Sequence, residues 1–247
     1  MSLTFIITSV KRSSTTDSRY NFASLHGTQF VIISYVTKEK KCAFDFIYFA
    51  KPTAGIVSCE NIRNSRFKCG VLLAHMYKYN ADIVSGVPDS GLIYADGYSQ
   101  TSGTKLSRVI LKDRDVRYFE QPTEAERHAA LSSKYKYIPE NIEGKRIVLI
   151  DDSIIRGLTT REVIAKLREH GAKEVHMLSA SPRVLNLCNN LKTDCITELV
   201  LHDRTQKEAR DFIGADTLEY MPREVFELVN HDDSMCLSCF SGGGREA

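Results

Sequence analysis

Net charge is nearly absent from this sequence: 33 Lys+Arg stand against 31 Asp+Glu, leaving +2 over 247 residues. That excludes the broad basic field with which nucleic-acid binders hold a polyanion, so no nucleic-acid partner is expected and any anion site must be local. Long apolar runs are also missing. The opening "MSLTFIITSVKRSS" has a mainly apolar stretch of only about six residues and no basic segment ahead of it, too short for a signal peptide or a membrane helix. No membrane partner and a cytoplasmic location are therefore expected. Internal repeats are absent, and only the final "SGGGREA" reads as a loose tail. There is no Walker loop and no GxGxxG fingerprint. Seven cysteines, an odd number in a chain with no export signal, argue against a disulfide framework and for thiols or metal ligands.

What is present is ordinary in bulk: 43% hydrophobic and 26% charged residues, as in a water-soluble globular chain. The length suits one large α/β domain. Residues 1–41 read as a lead-in with two strand-like runs, "LTFIITSV" and "QFVIISYV"; 42–220 form the main domain; 221–247 form a C-terminal helix and a CxxC tail. Along the main domain, "CAFDFIYFAKP" reads as an aromatic strand. Residues 61–80 read as a helix with Val71, Leu72, Met76 and Tyr77 on one side. "ADIVSGVP", "KLSRVILKD", "RIVLI" and "EVHMLSASP" read as further strands. Strand and helix alternate, which predicts a central, mostly parallel sheet flanked by helices. Ligands of such sheets lie beyond the carboxyl ends of the strands.

The densest chemistry lies in "KRIVLIDDSIIRGLTTREVIAKLREHGAKEV", Lys145 to Val175. Four aliphatic residues, Ile147 to Ile150, predict a strand buried on both faces. Asp151 and Asp152 follow at its carboxyl end. "SIIRGLTT" then leads into a helix with Val163, Ile164 and Leu167 on one face, closing at Gly171. The unbonded N–H groups of that first turn, with the hydroxyls of Ser153, Thr159 and Thr160, suit a phosphate dianion. Acids ahead of a phosphate cradle suit a ligand whose diol or metal lies beside its phosphate, such as a ribose 5-phosphate. The bland alternative is an Asp pair capping a helix.

"VLIDDSIIRGLTT" closely resembles the signature of type I phosphoribosyltransferases, which displace pyrophosphate from 5-phosphoribosyl 1-diphosphate (PRPP). In order, "FDFIYFAKP", "SGVPDSG", "KDRDVRYFEQPT", "EGKRIVLIDDS", "IDDSIIRGLTTREVI" and "DFIGADTLEY" resemble the synthase domain of the glutamine phosphoribosylpyrophosphate amidotransferase family, over roughly residues 27 to 241. The resemblance implies the type I phosphoribosyltransferase fold with a small peripheral hood. It also implies that Asp151 and Asp152 grip the ribose hydroxyls, directly or through Mg2+. Ser153, Ile154, Ile155, Arg156, Gly157, Leu158, Thr159 and Thr160 would form the 5-phosphate loop. Val87, Pro88, Asp89 and Ser90 would form the pyrophosphate loop, with Ser90 beside Mg2+; a plain Pro-Asp turn is the other reading of that segment. Lys112, Arg114 and Arg117 would lie in a loop that closes over substrate, with Lys112 and Arg114 acting in catalysis.

Departures from the family pattern fall on that loop and beyond it. Asp115 stands where the family has Tyr after the first Arg, and the Gly before the second Arg is missing. In "SSKYK", Ser132 and Lys136 replace Lys and Asn, and Lys134 is retained. The family's glutaminase domain, with its N-terminal cysteine nucleophile, has no counterpart in "MSLTF" or before Cys42. The expectation is an enzyme without glutaminase activity of its own. It would join phosphoribose to ammonia or another small amine, in purine synthesis or in a specialised pathway, with a separate glutaminase as a partner and a homo-oligomeric assembly. The other readings are a PRPP or nucleotide sensor that lost turnover, and the synthase subunit of a split amidotransferase.

"CLSC" puts Cys236 and Cys239 at metal-ligand spacing. One branch of the family carries a 4Fe-4S cluster, and its four ligand positions match Cys42, Cys188, Cys236 and Cys239. Zinc on the same residues is the alternative. Cys59, Cys69 and Cys195 are expected to be ordinary buried thiols.

Overall fold

In a computed structural model of the chain, the structure describes residues 41–53, 62–113, 135–191, 193, 195–230 and 235–241. The chain divides into Met1–Lys41 and Cys42–Ala247. The two lead-in strands expected in the first unit lie outside the described residues.

Among the described residues of the second unit, five strands form one sheet in the order β3-β2-β6-β7-β8. They are β2 (Ile83–Gly86), β3 (Lys105–Leu106), β6 (Arg146–Asp151), β7 (Glu174–Ser179) and β8 (Thr217–Tyr220). Every pairing is parallel. Parallel strands need crossovers, and helices supply them. These are α2 (Gly91–Ser102), α3 (Leu158–Glu169) and α4 (Gln206–Ile213), while α1 (Ile62–Met76) precedes the first strand of this sheet and α5 (Arg223–Asn230) follows the last.

The central strand β6 shows why the sheet is double-sided. Ile147, Val148, Leu149 and Ile150 are each 0% exposed. Val148 and Ile150 join a core with Leu73 of α1, Tyr94 and Tyr98 of α2 and Phe226 of α5. Ile147 and Leu149 join a second core with Val163, Ile164 and Leu167 of α3 and Ile213 of α4. The alternation of side chains along a strand splits four adjacent aliphatics between two layers. The α3 face is the one expected, and the helix gives way to Gly171 at φ 84°.

Two further strand pairs are short, and the first of them is antiparallel. β4 (Ile110–Lys112) pairs with β5 (Tyr135–Tyr137), and β1 (Lys41–Cys42) pairs with β9 (Met235–Cys236). "KLSRVILKD" is therefore not one strand. Its first part extends the central sheet as β3, and its second part leaves the sheet to form the hairpin with β5.

Two other expectations fail for tertiary reasons. "CAFDFIYFAKP" is not a strand beyond Cys42: Asp45–Phe49 forms a π-helical turn, closed by the Ala50 N–H on the Asp45 carbonyl at 3.1 Å. Ala43, Phe44, Phe46 and Ile47 are buried while Asp45 and Tyr48 are exposed, a helix-like spacing that packing selects over β propensity. On α1 and just past it the expected Leu72, Met76 and Tyr77 do pack half-buried against the core, but the fully buried stripe is another one. It is Ile62, Ser65, Arg66, Cys69, Gly70, Leu73 and Ala74. Apolarity alone misses this face because two of its residues are polar and paired. Ser65 Oγ donates to Asn230 Oδ1 at 2.5 Å. Arg66, 2% exposed, donates from Nε to the Phe46 carbonyl at 2.8 Å and from a terminal nitrogen to the Ala50 carbonyl at 3.0 Å.

Arg66 thus fixes the π-helical turn from below, since a buried charge persists only where its hydrogen bonds are met. Arg66→Met, which keeps bulk and removes the donors, is expected to cost about 2–3 kcal/mol. Thermal unfolding should show this as a melting temperature lower by roughly 4–12 °C.

Candidate functional site

The two loops singled out in the sequence arise from neighbouring strands. β2 and β6 pair with Gly86 opposite Ile150, and the Val87 N–H continues the ladder to the Ile150 carbonyl at 2.9 Å. Val87–Ser90 then turns into α2, with the Pro88–Asp89 peptide cis. The first residue of α2, Gly91, lies against β6: a Cβ there would stand 2.5 Å from the Ile150 carbonyl oxygen. Only glycine permits that approach. It brings the pyrophosphate-type loop within bonding reach of the acids that end β6.

Asp152 joins the two loops. Its Oδ2 accepts from Ser90 Oγ, and its Oδ1 accepts from Ser153 Oγ at 2.7 Å. The Asp152 N–H donates to Asp151 Oδ1 at 2.9 Å. Asp152 is 8% exposed, whereas Asp151 is half-buried. Beyond them the chain is held by its hydrophobic side chains. Ile154 packs into the α3 core and Ile155 against the opposite core, and the Val200 N–H donates to the Ile155 carbonyl at 2.8 Å. Gly157 takes φ 75°, and a Cβ would meet Val200 Cγ2 at 2.9 Å. What this segment offers a ligand is therefore mainly backbone, including the first-turn N–H groups of α3, which lack intrahelical acceptors.

The other expected cradle residues divide. Thr160 is buried, Thr159 half-buried and Leu158 exposed. Arg156 is exposed and paired with Glu198 at 2.8 Å. Lys112, on β4, pairs with Asp89 of the pyrophosphate-type loop at 2.9 Å, with both side chains well exposed. Such a pair is worth at most about 1 kcal/mol and exchanges readily for a stronger anion. Lys136 pairs with Asp113 at 2.9 Å. Arg114, Arg117, Asp115, Ser132 and Lys134 lie outside the described residues.

One residue was missed. Tyr135, the first residue of β5, is 8% exposed. Its phenol is pushed well up by burial first, and then by the negative charge of Asp151, with Tyr137, Asp152 and Tyr48 adding to it. It stands close enough to the acid pair to feel both carboxylates. In "SSKYK" attention falls on the lysines, although an aromatic between them is what the hairpin turns inward.

The cysteines converge without closing. Cys42 lies on β1 and Cys236 on β9, which pair, and Cys239 follows on a single turn. The Leu185 and Asn186 N–H groups donate to the Cys239 carbonyl at 2.8 and 3.1 Å, which draws the tail to the segment bearing Cys188. The Cys239 thiol is pushed up to about 12, by burial first and then by Cys188, Cys42 and Cys236. The other three expected positions therefore all act on Cys239. Even so, among the described residues no group of three or more His, Cys, Asp or Glu side chains is placed to hold a metal ion. The expectation for Cys195 is corrected: it is exposed, because it sits on a loop before a single turn, and the Thr197 hydroxyl lowers its thiol. Cys69 is buried as expected, and Cys59 lies outside the described residues. No helix among the described residues is long and apolar enough to cross a membrane.

Comparison with known proteins agrees with this geometry. Residues 60–180 match the Phosphoribosyl transferase domain family. The chain is 37% identical over 226 residues to an amidophosphoribosyltransferase of Synechocystis, covering 88% of this chain and 46% of that protein. It is 37% identical over 209 residues to the Bacillus subtilis amidophosphoribosyltransferase, covering 81% and 44%. The chain thus spans about half the length of the curated relatives it matches. Among solved structures it is similar to the B. subtilis glutamine PRPP amidotransferase complexed with ADP and GMP. The TM-score there is 0.75 at 32% identity, covering 87% of this chain and 49% of that one. A structure described as the allosteric regulatory enzyme of purine biosynthesis gives the same TM-score at 34% identity, covering 85% and 47%.

Proposed function

Because the chain belongs to the phosphoribosyltransferase family, on its amidophosphoribosyltransferase branch, we propose that it transfers phosphoribose from PRPP to ammonia or another small amine, releasing pyrophosphate. The observation that carries this reading is the Asp152 carboxylate, which bonds Ser90 of one strand-end loop and Ser153 of the other. PRPP carries anionic groups at both ends of a diol, and the two loops with the acids between them match that order.

The backbone N–H groups entering α3 take the 5-phosphate. Asp151 and Asp152 hold the ribose hydroxyls. Their charge also stabilises the positive charge that develops on the ring as the bond from C1 to the diphosphate oxygen breaks. The amine forms the new C1–N bond on the opposite face, with inversion, and gives up a proton to solvent. Lys112 exchanges Asp89 for the departing pyrophosphate. Mg2+ fits this site, since that ion is held by one or two carboxylates together with substrate phosphates rather than by a full protein cage. Asp151, Asp152 and Ser90 would be its neighbours, and it would neutralise charge on the diphosphate.

Ammonia reaches the site from solution or from a separate glutaminase, and purine synthesis is the pathway that the relatives favour. A second reading, a PRPP sensor without turnover, is favoured by the departures from the family pattern at Asp115, at the missing Gly and at Ser132 and Lys136.

We also assign Cys42, Cys188, Cys236 and Cys239 to a 4Fe-4S cluster, with zinc as the alternative. Pairing of β1 with β9 puts Cys42 and Cys236 on neighbouring strands, and the Leu185 and Asn186 bonds to the Cys239 carbonyl bring the tail to the Cys188 segment, so that a soft cation suits the set as thiolates. The cluster would tie the tail to the core and take no part in the transfer.

Incubation with PRPP, Mg2+ and ammonium or a panel of amines is expected to release pyrophosphate, and Asp152→Asn to reduce turnover on the order of 100-fold. Tight PRPP binding with no release for any acceptor would establish the sensor; neither binding nor release would defeat both readings. Anaerobically purified protein should be brown, with broad absorbance near ~400 nm that Cys239→Ser abolishes. A colourless, zinc-loaded sample would remove the iron-sulfur assignment.

A further inference from the structure

Between the end of β6 at Asp151 and the start of α3 at Leu158 the phosphate-type loop has no strand or helix of its own. Its shape must come from what it leans on. The support is a segment far along the chain, just after the single 3-10 turn Ile196–Glu198. Leu199, Val200 and Leu201 are 0%, 2% and 3% exposed. Leu199 enters the core shared with α1, α2 and α5, whereas Val200 and Leu201 enter the core under α3 and α4. The segment is thereby tied to both layers of the fold.

From this support three consecutive loop residues are held. The Val200 N–H donates to the Ile155 carbonyl at 2.8 Å. Glu198 Oε2 accepts from Arg156 Nε at 3.2 Å and from a terminal nitrogen of the same guanidinium at 2.8 Å. Gly157 stands so near Val200 that a Cβ would meet its Cγ2 at 2.9 Å. The hold falls immediately ahead of the first turn of α3, whose N–H groups lack intrahelical acceptors. Arg156, expected to bind phosphate, has turned its guanidinium to a carboxylate instead.

We propose that Glu198 is a positioning residue for the phosphate end of PRPP: it fixes Arg156, and through it the peptide leading into α3, so that the first-turn N–H groups converge on one phosphate. This rests on the PRPP reading above and deepens it. Glu198 touches no substrate, and Arg156 serves as a strut. The alternative is an exchange in which Arg156 leaves Glu198 for the phosphate, as Lys112 leaves Asp89 for pyrophosphate. Lys112 reaches Asp89 through one exposed ion pair, whereas the Arg156 pair acts together with a backbone hydrogen bond and a packing contact on either side of it. The two roles differ in sign. By charge alone, removing an anion near the cradle and releasing an arginine would tighten phosphate binding. Loss of a positioning residue weakens it.

Calorimetric titration of the full chain with ribose 5-phosphate and, separately, with pyrophosphate and Mg2+ tests this without turnover. The side chains of the pair are 41% and 36% exposed, so Glu198→Ala is expected to weaken ribose 5-phosphate by only about three- to fivefold and to leave pyrophosphate binding unchanged. Glu198→Gln, whose amide oxygen still accepts from Arg156, should restore the affinity close to that of the unaltered protein. A general fault of folding would weaken both ligands. Ribose 5-phosphate binding that is unchanged or tighter in Glu198→Ala, or equal loss of both ligands, would overturn the proposal. Unaltered protein that binds no ribose 5-phosphate would overturn the PRPP reading along with it.

Discussion

A carboxylate that is 8% exposed must be paired or neutralised, and Asp152 is paired on both of its oxygens. Each partner comes from a different loop, so the hydrogen bonds that keep this charge acceptable also fix the distance between the loops. The rest of the site follows from that constraint. Ser90 can reach Asp152 only because Gly91 lets the start of α2 settle on the last carbonyls of β6. Asp151 beside it stays half-buried.

The sheet supplies the rigidity this arrangement needs. β6 feeds alternate side chains into two cores, so neither acid can shift without disturbing packing on both faces. Ile154 and Ile155 extend the same device past the strand, anchoring a loop by its side chains while leaving its backbone to the ligand. Among the departures from the family pattern, Lys136 lies on the small β4–β5 pair, where it bonds Asp113, and Lys112 of the same pair makes an exposed ion pair with Asp89.

Legibility in the sequence followed the range of the interactions. "RIVLIDDSIIRGLTTREVI" could be read almost whole, because strand, acids, turn and helix face are written in adjacent residues. The pairing of "GVPDSG" with it followed from the strand-end rule for parallel sheets. The buried face of α1 was misread because Arg66 and Ser65 are satisfied by carbonyls and an amide far along the chain. "CAFDFIYF" has the composition of a strand, yet the helix-like spacing of its burial is decided by what it packs against. Tyr135 and the exposure of Cys195 were likewise invisible, since each depends on which way a loop or hairpin turns.

The account rests on the Asp152 bridge organising a PRPP site, and equilibrium binding tests it most directly. Calorimetric titration with PRPP should show one-to-one binding that requires Mg2+ and weakens about tenfold in Ser90→Ala, which removes one arm of the bridge. No PRPP binding in the presence of Mg2+, or affinity unchanged in Ser90→Ala, would contradict it.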